Sequence, residues 1–354
     1  MNITIDCRMI DSSGVGVYLR ECLPCFLQSE HQWTLLGEPV RLQQTVGAFS
    51  RAQILECRIK PFSIEELFFF PRRITGAVNK TDIYYSPYFN IPGGIRIPVY
   101  TTIHDMVFAD IPEMVSKTGL FLRMYFLRRA SALSTKILTV SNYSKSRIEY
   151  HLGTKKSVIV TYSAIQPSFL EFKSEVNEKK KSIVFIGNIK KHKGLDVLID
   201  AFIEAGKNGL SHKLIIVGNA DNFRTRDNRI LKKIDSLEPG TVEFTGYISQ
   251  SDLLQLLAEA ALLVQPSIYE GFCLPPLEAM VLGTPALISD IPVLREVYAD
   301  FPVVFFKAGD RRDLQEKLET LLMDKEPERV TLSGELLNRY TFDRTAKTIL
   351  ESLP

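Results

Sequence analysis

Short apolar, β-branched runs recur along the chain, separated by stretches of helical period. The first set is Ile3–Asp6, Ile83–Ser86, Val99–Ile103, Lys136–Val140 and Ser157–Val160. The pattern then restarts with Ser182–Ile186, Lys213–Val217, Val242–Thr245, Leu262–Gln265 and Pro285–Ile288. Strands alternating with helices predict a mostly parallel sheet covered on both faces, and the restart predicts two such sheets in series. The polar, charged stretch Glu171–Lys181 (EFKSEVNEKKK) between them reads as a link. The fold class is therefore α/β with two doubly wound domains: an N-terminal domain over 1–168, a linker over 169–181 and a C-terminal domain over 182–335. A terminal segment, 336–354, with a helical pattern over Phe342–Leu353, is expected to pack back on the first domain. Ligands of doubly wound sheets bind outside the carboxyl ends of the strands, so the cleft facing those ends is the expected site.

Helix signals agree with this alternation. Ser63-Ile-Glu-Glu66 is a capping box ahead of the apolar run Leu67–Phe70, and Asp196–Phe202 carries apolar residues at helical spacing after the Lys193-Gly194 turn. Neither a solenoid-period repeat nor a low-complexity tract is present in the sequence.

Composition narrows the class. The chain has 354 residues, 45% hydrophobic and 24% charged, which suits a globular protein too long for one ordinary core. No run of 18 apolar residues occurs, and the opening MNITIDCRMID is polar-alternating with an acid at Asp6. Neither a membrane span nor a secretory signal is read there, and a cytoplasmic location follows as the expectation. Charge is uneven: residues 1–165 carry 19 Lys and Arg against 13 Asp and Glu, a net +6, and the remainder 24 against 28, a net −4. A basic first half points to an anionic surface or partner. The five cysteines, Cys7, Cys22, Cys25, Cys57 and Cys273, are an odd number in a large chain and do not describe a disulfide scaffold. Cys22-Leu-Pro-Cys25 has redox or metal spacing, yet no second CxxC completes a zinc site, and two buried thiols at a helix end are the simpler reading.

The chemistry concentrates in Tyr269–Met280, YEGFCLPPLEAM. A strand ends at Leu262-Leu-Val-Gln-Pro-Ser, Glu270-Gly-Phe-Cys-Leu makes a loop, and Pro275-Pro276 opens a helix. A loop feeding a helix start presents backbone N–H groups suited to a phosphate or a sugar hydroxyl, and Gly271 allows close backbone approach. Glu278, in the first helical turn, can accept two hydrogen bonds and so hold both hydroxyls of a ribose diol, with Glu270 facing the other end of the same ligand. Two isolated glutamates could equally serve the helix dipole and a loop cap.

Pro266-Ser267-Ile-Tyr-Glu270-Gly271-Phe272-Cys273-Leu274-Pro275-Pro276-Leu277-Glu278-Ala279-Met280, followed by Gly283-Thr284-Pro285, resembles the signature of the retaining glycosyltransferases of family 4, whose hallmark is two glutamates separated by seven residues. Further stretches are similar to that family's landmarks in order: Ile5-Asp6-Cys7-Arg8, Ser13–Tyr18, Tyr85–Tyr88, Thr102–Asp105, Val140–Lys145, Gly187–Gly194, Val217-Gly218 and Phe244–Tyr247. The resemblance implies the GT-B arrangement of two Rossmann-like domains with an interdomain cleft. It implies a nucleotide-sugar donor held mainly by the second domain, an acceptor held mainly by the first, and hexosyl transfer with retention. By position it makes Lys193 the diphosphate ligand, with Lys190 and Lys191 as alternatives, and His104 a contact to the donor sugar across the cleft from Glu270. The Gly14–Gly16 loop would approach phosphate and sugar, Tyr247 and Ile248 would contact the base, and Gly271, Phe272, Cys273 and Leu274 would contact the donor. Two departures bear on donor identity: Cys273 stands where the family has a second glycine, and Asn188 where some members have an arginine.

The sequence contains no Asp-x-Asp pair, so neither a metal nor another cofactor is expected; cations and amides would neutralise the diphosphate instead. The acceptor is expected to be a glycan or lipid-linked molecule of bacterial polysaccharide, O-antigen or glycolipid synthesis, and no nucleic-acid partner is read. Lys117–Arg129 mixes aromatic, aliphatic and cationic residues on one helix, as an interfacial helix does. With the basic first half, this extends the expectation to the inner face of an anionic membrane; a core-facing helix with a basic rim is the alternative. Two other classes compete. An NAD-dependent oxidoreductase needs GxGxxG, and Gly14-Val-Gly16 lacks the third glycine. A non-catalytic nucleotide-sugar-binding protein would not need the intact Glu270, Glu278 and Lys193 set.

Overall fold

The computed structural model describes residues 1–47, 52–173, 178–187, 190–218, 233–323 and 328–354. Asn188 therefore lies outside the described residues. Two compact units emerge: Met1–Ala164 with Tyr340–Pro354, and Ile165–Arg339.

The first unit holds a parallel sheet of β1 (Asn2–Asp6), β2 (Gln32–Gly37), β3 (Ala52–Glu56), β4 (Ile83–Ser86), β5 (Val99–Thr102), β6 (Lys136–Thr139) and β7 (Val158–Val160), ordered β3-β2-β1-β4-β5-β6-β7. The second is built on β8 (Lys180–Ile186), β9 (Lys213–Val217), β10 (Val242–Gly246), β11 (Ala260–Gln265), β12 (Ala286–Ser289) and β13 (Val304–Phe306), ordered β10-β9-β8-β11-β12-β13 and again parallel. Each sheet reverses its winding once, between β1 and β4 and between β8 and β11. The carboxyl ends of those pairs are where a doubly wound sheet leaves a crevice.

Central strands are buried on both faces and so read as unbroken apolar runs. All six residues of β11 (AALLVQ) are buried, as are all four of β4 and of β12. The strands absent from the apolar-run reading are β2, β3 and β13. β3 and β13 are sheet edges, only partly buried; Gln53 and Glu56 break the apolar run of β3, whereas β13 is only three residues long within the apolar stretch Phe301–Phe306, which the reading passed over.

Ordered structure enters the linker span from both sides: Pro167–Glu171 is a helix with Phe169 buried, and β8 begins at Lys180. The C-terminal helix, Phe342–Ser352, lies in the first unit. Its Phe342, Ala346 and Ile349 join Tyr18, Leu23 and Phe26 in one core, and Lys136 Nζ donates to Ser352 O at 2.6 Å. Cys22 and Cys25 are free thiols on the helix Ser13–Leu27. Burial and the neighbouring Asp343, whose Oδ1 accepts from the Cys25 thiol at 3.1 Å, push Cys25 up to about 12. A thiol held protonated is a packing residue, not a redox nucleophile.

The Ser63 cap forms as expected, its Oγ accepting from Glu66 N at 3.1 Å, but the reciprocal half of the box does not. The helix is short, Ile64–Phe68, and the Glu66 carboxylate turns inward. There it accepts from Arg8, from Asn90 Nδ2 at 3.2 Å and from Phe62 N. Arg8 also bridges to Asp6, which takes further hydrogen bonds from Tyr84 and Asn90 at 2.6 and 2.9 Å. This buried network pins the carboxyl ends of β1 and β4. Burial opposes the charge on Asp6, but Arg8 and the hydroxyl of Tyr84 outweigh it and hold the carboxyl below its usual range.

Candidate active site

In the second unit the carboxyl ends of β8 and β11 converge on one ion pair. Lys193 lies in the single helical turn Lys191–Lys193 that follows β8, and Glu270 in the loop that follows β11. Lys193 Nζ donates to both oxygens of Glu270, at 2.7 and 2.8 Å. Ser267 Oγ donates to Oε1 at 2.7 Å, and Gln265 Nε2 donates to Ser267 Oγ at 2.9 Å. Burial raises the Glu270 pKa, but the Lys193 charge, its hydrogen bonds and that of Ser267 overcome this, so the carboxylate sits below the ordinary range and stays ionised. The sequence reading placed Glu270 and Glu278 at opposite ends of a ligand and gave Lys193 the diphosphate; here Lys193 and Glu270 are each other's partner.

The approach of the two loops rests on Gly194. Its φ of +67° is the left-handed region, and a Cβ there would meet Pro266 O at 2.0 Å. Ile268 N donates to His192 O at 2.8 Å and closes the same junction. His192 is buried, and burial together with the Lys193 charge lowers it to about 4, so it is a neutral packing ring; its Nδ1 has no partner among the described residues. Of the three lysines the motif offered, Lys190 and Lys191 are exposed and Lys193 turns inward.

Beyond Glu270 the chain makes a turn through Gly271, Phe272, Cys273 and Leu274 into the helix Pro275–Val281. Cys273 adopts a φ of +77°, the conformation that a glycine would take without cost. Its thiol does not point away into solvent: burial and the Glu270 charge beside it raise it well above the usual thiol range. The helix start differs from the expected row of available N–H groups. Pro275 and Pro276 have none, Glu278 N donates to Leu274 O at 3.0 Å, and Leu277 N donates to the buried Tyr298 hydroxyl at 3.2 Å. That hydroxyl in turn donates to Cys273 O. The N–H groups of Cys273 and Leu274, just before the helix, have no acceptor among the described residues. Glu278 is buried in the first turn with no hydrogen-bond or ion-pair partner among the described residues, and burial alone raises it to about 7. A carboxyl so placed gains from hydroxyl donors arriving with a ligand.

Tyr247 and Ile248 follow β10, the outer strand, and Tyr247 is 97% exposed. Three strand spacings separate β10 from β11, about 14 Å, so these residues do not belong to the ion-pair cluster. Gly14 and Gly16 lie in the first unit and correct the loop reading: both are in the first turn of the helix Ser13–Leu27. Gly16 packs so closely that a Cβ would meet Ile10 O at 2.4 Å, whereas the space over Gly14 is open. His104 follows β5. Its Nε2 can only donate to Pro87 O, at 2.9 Å, which leaves Nδ1 as an acceptor, and Tyr18 packs edge-on at 5.1 Å. Burial lowers its pKa despite Pro87 O and Asp105, so the ring is neutral near neutral pH. Among the described residues no three His, Cys, Asp or Glu side chains gather as metal ligands, and no helix is long and apolar enough to cross a membrane.

Sequence reasoning passed over Ser267 as a partner of Glu270, although it stands three residues ahead of it, and had no signal for Tyr298, which lies 25 residues beyond the Cys273 carbonyl it holds.

Comparison with known proteins bears on the same segment. The family model described as "Glycosyl transferases group 1" matches residues 168–333, nearly the whole second unit. The O-antigen chain mannosyltransferase B of Escherichia coli is 30% identical over 70% of this chain and 68% of its own. The O-antigen chain mannosyltransferase RfbU of Salmonella typhimurium is 27% identical over 70% and 67%. Among solved structures, Anabaena Alr3699/HepE in complex with UDP and glucose superposes with a TM-score of 0.74 over 99% of both chains at 17% identity, a likeness of GT-B fold. With the family's segment matched across the ion-pair unit and a relative at 30% identity over two thirds of both chains, this chain belongs to the group 1 glycosyltransferases.

Proposed function

We propose that this glycosyltransferase is a retaining, metal-independent hexosyltransferase that moves a mannosyl unit from a nucleotide-sugar to a hydroxyl of a polysaccharide or lipid-linked glycan acceptor, as in O-antigen synthesis. The sugar and the pathway come from the two mannosyltransferase relatives. The observation that carries the mechanism is the Lys193–Glu270 pair at the winding reversal of the second sheet. A diphosphate arriving there competes for the Lys193 ammonium, a charge-assisted contact that stabilises the leaving group as its bond to the sugar breaks. The amides of Cys273 and Leu274 supply further donors, and the buried Glu278 takes the ribose hydroxyls.

In the reaction the bond from the sugar's anomeric carbon to the phosphate oxygen breaks and the bond to the acceptor oxygen forms on the same face. The acceptor proton passes to a phosphate oxygen of the departing nucleotide, so no protein base is consumed. Glu270, released from Lys193 by the diphosphate, orients the hexose and offsets its oxocarbenium-like charge. The test is transfer from GDP-mannose and from UDP-sugars in EDTA, with the anomeric configuration of the product read by NMR. Transfer with the donor's configuration kept is expected; an inverted product, or activity that needs added divalent metal, would overturn the reading.

A further inference from the structure

In the helix Lys117–Leu133 the buried face is Phe126, Leu127, Ala130 and Ser131. The face opposite carries Phe121, Leu122 and Tyr125, with Phe121 76% exposed. Beside it the short helix Ile64–Phe68 points Glu66 inward and leaves Ile64 and Phe68 outward, followed by Phe69; Phe68 and Phe69 are each 71% exposed. The two elements are neighbours. Phe62, just ahead of the short helix, packs edge-on against Phe126 at 5.0 Å. The loop after Asn90 joins them, with Arg129 donating to Ile91 O and Gly93 N donating to Glu66 O at 2.8 Å. Outward-facing aromatics in adjacent elements, tied to one underlying core, differ from singly scattered surface apolar residues.

The charges around these side chains are predominantly positive. The long helix contains Lys117, Arg123, Arg128 and Arg129 and no acid. Arg123 lies over the Phe108 ring and Arg129 is held by Ile91 O, whereas Lys117 and Arg128 are exposed, as are Arg72 and Arg73 after the short helix. Glu65 is the exposed acid of the short helix, since Glu66 is committed to Arg8. We propose that this aromatic, cationic face of the first unit docks on the surface of an anionic phospholipid bilayer. Aromatic side chains partition into the headgroup boundary and exposed Lys and Arg are drawn to anionic lipid. A second copy of the chain is a poorer occupant, because a two-fold contact would set the same cations against each other.

None of these side chains belongs to the donor site proposed above, and the test reads vesicle binding, not transfer. The full chain is sedimented with phosphatidylcholine vesicles, with and without roughly one third phosphatidylglycerol, at low salt and at about 0.5 M salt. Binding to the anionic vesicles at low salt is expected, weakening with salt. Phe68→Ser, Phe69→Ser and Phe121→Ser combined should lower the partition at least about tenfold. Arg72→Gln, Arg73→Gln and Arg128→Gln combined should erase the preference for anionic over neutral vesicles, with thermal midpoints of both variants unchanged. Failure of the wild type to bind anionic vesicles at low salt would overturn the proposal, as would an unchanged partition of either variant. So would light scattering that shows a dimer lost in the serine variant without any vesicle binding.

Discussion

Ser267 illustrates how a residue acts through its neighbour. Its hydroxyl donates to Glu270 Oε1 and is itself steered by Gln265, both fully buried. Ser267→Ala removes a hydrogen bond to the ionised carboxylate, so the Glu270 pKa should rise and the acid limb of the pH–rate profile should move to higher pH. A loss of turnover of about tenfold is expected from a bond to a charged group. Glu278 supplies the opposite case. Raised to about 7 by burial, it is mostly protonated at pH 6 and mostly ionised at pH 8. If the carboxylate is the form that takes a ribose diol, nucleotide affinity should be about tenfold greater at pH 8 than at pH 6, with proton release on binding in calorimetry near neutrality. Glu278→Gln should flatten that dependence. The two glutamates and their spacing were legible because a local signature carries them, whereas the Gly187–Gly194 stretch offered Lys190 and Lys191 beside Lys193. The pairing of Lys193 with Glu270 was not legible, since it depends on two loops from different strands meeting over Gly194. Nor was the Asp6, Arg8, Glu66 and Asn90 network, assembled from three separated segments.

Elements are held to one another by single buried groups. Tyr298, at the end of the helix Pro292–Tyr298, ties the Cys273 turn to the first turn of Pro275–Val281. Tyr298→Phe leaves one buried N–H and one carbonyl unmet, and should cost about 1–3 kcal/mol, seen as a lower thermal midpoint with weaker nucleotide binding. Gly194→Ala should be at least as damaging, since left-handed backbone alone costs a side chain about 1–2 kcal/mol and Pro266 O leaves no room for the Cβ. The element order was readable because fully buried parallel strands show as apolar runs; the edge strand β3 was not, because Gln53 and Glu56 break its run.

Across the whole molecule, the chain supplies two doubly wound units, and its last helix returns to the first of them. The alternation of strands and helices made this fold class readable, and the helical pattern over the terminal segment led to the expectation of a helix on the first domain, where Phe342–Ser352 lies. Stability should follow the ion pair in the second unit. Glu270, held below the ordinary glutamate range, contributes stability that is present above that range and lost as pH falls through its folded pKa. Removing Lys193 exposes the cost of a buried, unpaired carboxylate, roughly 3–5 kcal/mol before relaxation, so variants at this pair need a check of folding by thermal melt. The most direct measurement is calorimetric titration of GDP and UDP into the wild type and Lys193→Gln, in EDTA at neutral pH. Tight binding of one nucleotide by the wild type, weakened at least about tenfold in the folded variant, is the result the ion-pair account requires. Equal affinity in the two proteins, or wild-type binding abolished by EDTA, would contradict it.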